Sequence, residues 1–256
     1  MLITGSSGFI GQNLMKKVDA VPFDIKNGDD CTNRQALEAL YRKGPIIHLA
    51  AQSGVPQSIE DPGSSFYHNT LGLFTVLNFA KEKNARLIFA SSAAADNITS
   101  PYAASKKSGE AYCQAYHECY GVSYAALRFS NVYGPLSDRK TSCIPQMIKS
   151  ALYNNEIVIY GDGEQRRDFI HVDDVCDAII TLANHDFVGT KDVCTGITHS
   201  VYEVAEIISG LTGAPIRHED DRPGDIREPA QTWPWVHDFV AISLEEGIKR
   251  TLEYFQ

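Results

Sequence analysis

The first eleven residues constrain this chain more than any other stretch. Leu2–Thr4 is a short apolar run, Thr4-Gly5-Ser6-Ser7-Gly8-Phe9-Ile10-Gly11 is punctuated by glycine, and a helical pattern follows at once. A strand that turns sharply through glycines into a helix lets backbone N–H groups and the positive helix end face a single point, which stabilises a bound pyrophosphate. Glycines 5, 8 and 11 follow GxxGxxG spacing, not GxGxxG, so the strand–turn–helix context carries the reading more than the letters do. Gly5, Ser7, Gly8, Phe9, Ile10 and Gly11 are therefore expected to line a dinucleotide.

The rest of the chain repeats that alternation. Strand-like runs (AVPFDI, PIIHLAA, ARLIFASS, SYAALRFS, IVIYG, DFIHV) alternate with helical patterns over 34–42, 67–83, 102–120 and 175–184. Such an order predicts an α/β fold: a doubly wound parallel sheet with ligands outside the carboxyl ends of its strands. Past Pro135 the chain grows richer in Gly, Pro and charged turns (GDGEQRRD, DDRPGDIREP), as suits a smaller, loop-rich region. The expected division is residues 1–135, with returns near 166–186, against 136–165 with 187–256.

Charge narrows the partners. Thirty-two acidic against 23 basic residues give a net charge of −9, which argues against a nucleic-acid polymer or a membrane surface and leaves room for a local anion site. No apolar stretch approaches the roughly 18 residues of a membrane span, and MLITGSSGFIG does not read as a secretory leader, so the expectation is a cytoplasmic protein. Six cysteines (31, 113, 119, 143, 176, 194) are scattered without a CxxC pair, as expected of reduced packing residues. Asp173 and Asp174, beside His171, read as helix N-capping residues and not as metal ligands; no metal is expected. Trp233-Pro234-Trp235 reads as a packed loop.

Two further features carry chemistry. Asp24 closes the run AVPF, where a carboxylate can accept from an adenosine ribose hydroxyl pair; it would repel a 2′-phosphate, favouring NAD over NADP, although Lys26 could pair with that phosphate. Tyr102 and Lys106 stand four apart in SPYAASKKSGEAY, one turn apart on one helix face, where an ammonium is expected to favour the phenolate and lower its pKa. Such a Tyr can remove a proton from a hydroxyl while hydride leaves the same carbon.

Together the stretches TGSSGFIG, HLAAQSGVPQS, FASSAAA, PYAASK, LRFSNVYGP, IYGDGEQRRDFIHVDDV and RPGDI resemble the extended short-chain dehydrogenase/reductases, in particular the nucleotide-sugar 4-epimerase and dehydratase branch. The resemblance implies an NAD-binding Rossmann domain with a smaller, interleaved C-terminal domain for a nucleotide sugar, UDP-linked in many members. It puts Ser92, with Ser91 a neighbour, beside Tyr102 and Lys106 as the catalytic group. It also implies that Asp30 and Cys31 touch adenine, that Leu49, Ala50 and Ala51 line the cofactor with Phe129, Tyr102 and Lys106, and that Asn69 supports the site. Asn131, Arg167 and Arg222 are then expected at the substrate, the arginines as planar donors to its diphosphate. Family members often form homodimers through the helix bearing YxxxK, with which Ala111, Tyr112, Ala115, Tyr116 and Cys119 are compatible.

Relatives that dehydrate sugars carry acidic residues just after the Ser/Thr, and decarboxylating ones keep a Glu nearby. Here Ala93, Ala94 and Ala95 follow Ser92, which favours redox chemistry alone: proton removal by Tyr102, hydride transfer to NAD, rotation of a 4-keto sugar and return of hydride to its other face, a 4-epimerisation. The size of Pro229, near the position that admits an N-acetyl group in such enzymes, is compatible with UDP-glucose, UDP-galactose or their N-acetyl forms. Residues 24–30 are too few for the usual helix between the second and third strands, a shortening shared with the compact 4-keto-rhamnose reductases. A 4-keto sugar reductase is thus the first alternative, and a non-catalytic NAD-binding protein the second.

Overall fold

The structure, a computed structural model, describes residues 1–220 and 241–256. Its elements in chain order begin with β1 (Leu2–Thr4), α1 (Phe9–Lys17), β2 (Val21–Phe23), α2 (Arg34–Leu40), β3 (Ile46–His48), α3 (Val55–Glu60), α4 (Pro62–Ser65) and α5 (Gly72–Lys83). Next come β4 (Leu87–Ser92), α6 (Pro101–Tyr120), β5 (Tyr124–Phe129), β6 (Asn131–Tyr133), α7 (Cys143–Lys149), β7 (Ile157–Tyr160) and β8 (Arg166–His171). The order closes with α8 (Val172–Ala183), β9 (Gly189–Val193), β10 (Thr198–Ser200), α9 (Val201–Thr212), β11 (Ile216–Glu219) and α10 (Leu244–Phe255).

Two compact units share the chain: Met1–Phe129 with Cys176–Val193, and Ser130–Val175 with Cys194–Gln256. The first holds a six-stranded sheet in the order β2-β1-β3-β4-β5-β9, parallel at every pairing. The chain leaves β1 toward β2 and returns to its other side at β3, so the topological switch where such sheets bind ligands lies at the end of β1, at the glycine turn. The larger unit stops at 129, not 135, and resumes at 176, not 166, because β6 and β8 pair with each other, and β8 with β10, in a separate sheet.

Local signals account for most elements of this unit. The Asn33 side chain accepts from the Gln35 and Ala36 amides to start α2, and the Ser100 hydroxyl accepts from Ala103 with Pro101 in the first helical turn to start α6. Between β2 and α2 there is only one 3₁₀ turn, Ile25–Asn27, so the sheet lacks the outer strand and helix of a 3-2-1-4-5 order. The helix expected over 67–83 opens instead with a π-helical segment, Phe66–Leu71, and only then continues as α5. Leu2, Ile46, Leu73, Leu77, Phe79, Leu87 and Phe89 form the centre of the core on this side of the sheet.

The second unit contains the three-stranded sheet β10-β8-β6 and the parallel pair β11-β7. α7, α9 and α10 supply Ile144, Ile148, Val204, Ile208 and Ile248 to a core with Tyr133, Ile157 and Phe169. Ser200 and Glu203 close a capping box at α9. Asp173 and Asp174 are not the N-cap of α8: the helix starts at Val172 and places both in its first turn, where negative charge is favourable. Asp174 accepts from the Ile242 amide at 3.0 Å, and Asp173 lies 3.8 Å from Arg250.

Candidate active site

The glycine turn is a backbone-to-backbone contact. Gly5 has φ +71°, and a Cβ there would lie 2.6 Å from Ala50 N and 2.8 Å from Leu49 C. At Gly11 a Cβ would meet Gly5 O at 2.2 Å and Ser6 Cα at 2.8 Å. Only hydrogen fits at either position, so β1, the start of α1 and the loop after β3 approach as bare backbone, a cradle suited to a pyrophosphate. Gly11→Ala must open this contact; the expected result is a loss of about 1–3 kcal/mol in stability together with weaker NAD binding. Thermal unfolding and NAD titration check it, and an unchanged NAD affinity would remove the cradle from cofactor binding.

The neighbouring carboxylates are engaged with the same turn. Asp24, buried, accepts from Ser7 N at 2.8 Å and from Lys26 N at 3.0 Å, while the Lys26 ammonium donates to Ser7 O at 3.1 Å. Asp24 thus sits beside the first helix turn as expected, and the Lys26 charge is held on the turn's backbone. Leu49 N donates to Thr4 O and Ala50 N to Thr4 Oγ1, fastening the loop after β3 to β1. Burial pushes the Asp30 carboxyl up, but hydrogen bonds from Thr32 and Tyr67 outweigh it and hold it below the usual range. Cys31 is a core residue whose thiol burial pushes up to about 12, so it remains neutral.

Ser92, Tyr102 and Lys106 come together where α6 crosses the end of β4. Lys106 is buried, donates to Ala90 O at 2.8 Å, and lies 5.1 Å from the Phe89 ring centroid and 5.7 Å from that of Tyr102. Desolvation pushes its ammonium down to about 8. Burial raises the Tyr102 phenol, and a hydrogen bond with the Ser92 hydroxyl opposes that rise. The expectation that Lys106 lowers the phenol pKa is therefore corrected: burial dominates, the opposing group is Ser92, and the ammonium is turned toward the Ala90 carbonyl. Ser92 Oγ also accepts from Ala94 N at 3.2 Å, and Phe129 pairs directly opposite Ser92 across β4 and β5.

The π-helical segment buries Asn69 against this group. Asn69 accepts from Gln52 N at 2.7 Å and donates to Gln52 O and to Ser105 Oγ, both at 3.1 Å, so it ties the loop after Ala51 to the residue preceding Lys106. A widened turn of this kind often occurs at functional sites. His48 is a residue that motif reading passed over. Its Nδ1 is 2.8 Å from Thr4 Oγ1, its ring stacks on Phe89, and burial, assisted by the Lys106 charge, pushes its pKa down to about 3. A neutral imidazole therefore lies beneath the site.

The expected substrate residues lie in the second unit. Asn131 is exposed on β6 and donates to Asp168 O at 3.2 Å; Arg167, on β8, donates to Arg166 O at 2.7 Å. Arg222, Pro229 and Trp233-Pro234-Trp235 lie outside the described residues. Among the described residues no group of three or more His, Cys, Asp or Glu is arranged to hold a metal ion, and no helix is long and apolar enough to cross a membrane. None of the six cysteines is in a disulfide; Cys119 is exposed, and the other five are buried or half-buried.

Residues 1–194 match the sequence model of the NAD dependent epimerase/dehydratase family. The chain belongs to that family. It is an NAD-dependent enzyme of the short-chain dehydrogenase/reductase superfamily, with that superfamily's Rossmann-like fold. It is 27% identical over 306 aligned positions to the UDP-glucose 4-epimerase of Mycolicibacterium smegmatis, covering 100% of this chain and 98% of that protein. It is 26% identical to UDP-glucuronic acid decarboxylase 1 of Xenopus tropicalis, covering 100% of this chain and 72% of that one. A structure of UDP-N-acetylglucosamine 4-epimerase from Methanobrevibacter ruminantium M1, in complex with UDP-N-acetylmuramic acid, superposes with a TM-score of 0.89 at 29% identity, covering 99% and 97% of the two chains. Relatives of this enzyme thus include both UDP-sugar 4-epimerases and decarboxylases at similar identity.

Proposed function

We propose that this enzyme is a nucleotide-sugar 4-epimerase that interconverts UDP-hexoses, UDP-glucose and UDP-galactose or their N-acetyl forms, through a 4-keto intermediate. The observation that carries this reading is the surface behind Ser92. Ala93, Ala94 and Ala95 offer no acid or base, and the next carboxylate, Asp96, is 2.7 Å from Arg128 Nη1 and engaged in an ion pair. Dehydration and decarboxylation need a further proton-transferring or charge-steering group at the sugar, whereas epimerisation needs one acid/base alone.

In this reading Tyr102 takes the proton of the carbon-4 hydroxyl and later returns it. Ser92 hydrogen-bonds the reacting oxygen, and Lys106 holds the nicotinamide ribose. Gly5, Ser7, Gly8, Phe9, Ile10 and Gly11 would hold the pyrophosphate of NAD, Asp24 its adenosine ribose, Asp30 and Cys31 the adenine, and Leu49, Ala50, Ala51 and Phe129 its remaining length. NAD when bound supplies the acceptor and donor of hydride at carbon 4. Asn131, Arg167 and Arg222 hold the nucleotide sugar. Ala111, Tyr112, Ala115 and Cys119 are exposed on α6, and Phe74 of α5 adds an exposed ring 6.2 Å from that of Tyr112, which supports a homodimer formed through this face.

The single 3₁₀ turn between β2 and α2 supports a second reading, a compact 4-keto sugar reductase that releases product after one hydride transfer. Incubation with a panel of UDP-sugars without added cofactor distinguishes the two. The epimerase reading expects the C4 epimer to accumulate to equilibrium. Net oxidation of added NADH or NADPH by a 4-keto sugar, with no epimer formed, would replace it with the reductase.

A further inference from the structure

Glu110 stands one turn beyond Lys106 and two beyond Tyr102 on the same face of α6. Its buried carboxylate accepts from Ser91 Oγ at 2.6 Å and from Arg128 Nε and Nη2 at 2.7 Å each, with Lys107 Nζ 3.7 Å away. The remaining Arg128 nitrogen, Nη1, is 2.7 Å from Asp96 Oδ1. These partners bracket Ser92. Ser91 precedes it, Asp96 ends the 3₁₀ turn Ala93–Asp96 that follows it, and Arg128 adjoins Phe129, the residue paired opposite it.

We propose that the Glu110–Arg128–Asp96 network is a positioning device for the Ser92 hydroxyl, fixing the chain on both sides of Ser92 to the helix that carries Tyr102. It rests on the roles of Ser92 and Tyr102 proposed above. A buried ion pair adds little net stability over apolar packing, whereas the planar Arg fork fixes direction. Holding α6 on the sheet needs only Glu110 and Arg128. The third arm, to Asp96, reaches a turn outside the helix and outside the sheet, and what it controls is the path of the chain leaving Ser92.

The test reads the Tyr102 phenol directly. Phenolate absorbance of the NAD-bound protein minus that of its Tyr102→Phe partner isolates one of the 12 tyrosines. Lys106 on the same helix and His48 on β3 titrate nearby but do not absorb there. Asp96→Asn removes a negative charge, which by direct electrostatics would lower the phenol pKa; loss of the Ser92 contact raises it. The expected result is a rise of about half to one unit, with kcat reduced and KM for UDP-glucose unchanged. In a Ser92→Ala background Asp96→Asn should add no further rise, and Arg128→Lys should give a smaller rise than Arg128→Met. A lowered or unmoved phenol in Asp96→Asn overturns the proposal. If Arg128→Met fails to fold, Asp96→Asn, whose side chain is partly exposed, decides alone. Because the titration uses no nucleotide sugar, an absence of epimerisation would overturn the activity reading and leave this one standing.

Discussion

Tyr102→Phe lowers turnover on the order of 10²–10⁴-fold while NAD remains bound. The change removes one oxygen and leaves the ring, its place in the first turn of α6 and the Lys106 contact with Ala90 in place. Ground-state binding of the nucleotide sugar does not depend on that oxygen, so the loss falls on kcat with KM nearly unchanged. The pH dependence follows from the same atom. Burial holds the phenol pKa above its ordinary value, so the base form grows as pH rises, and kcat of the wild-type enzyme climbs with pH on its acidic side. The Phe variant has no such group, and its residual activity lacks that slope. Epimer separation across a pH series, with NAD content read by absorbance, checks both; near-wild-type turnover in the variant would remove Tyr102 from the mechanism.

The parts of this site that could be read in the sequence are those with local causes. A glycine turn between strand and helix, a Ser-Pro helix start and a four-residue Tyr–Lys spacing each depend on residues within one turn of each other, and each was found where expected. The missing outer strand was visible for a similar reason, since residues 24–30 are simply too few. Where structure and sequence part, the causes are tertiary. The boundary at 135 rests on the change of composition past Pro135, but β6, ahead of that change, pairs with β8, some 35 residues farther on, and so falls in the second unit. Helical spacing alone puts the Tyr102 phenol under the influence of Lys106, but desolvation by the surrounding fold is stronger. Glu110 extends the Tyr102–Lys106 spacing by one more turn, so its place on that face was readable; that it meets Ser91 and Arg128 depends on strand pairing that no local pattern encodes.

Lys106→Met separates stability from activity. The native residue is an ammonium buried under Phe89 and the Tyr102 ring, with one hydrogen bond to Ala90 O and its pKa lowered from 10.5 to about 8. Between those values the unfolded chain binds a proton that the folded chain does not. Stability therefore rises with pH across that window, and the penalty for burying the charge is complete below pH 8. That difference corresponds to about 3–4 kcal/mol. Met fills a similar volume without a charge, so with cofactor removed the variant should gain on the wild type by about that amount as pH is lowered from 10.5 to 8, and no further below 8. In the proposed mechanism turnover should fall at least as far as in Tyr102→Phe, because Met would offer no donor to the nicotinamide ribose. Urea unfolding of both proteins at a series of pH values gives the difference curve. A flat curve would mean that Lys106 keeps an ordinary pKa in the folded state, and that its desolvation does not oppose folding.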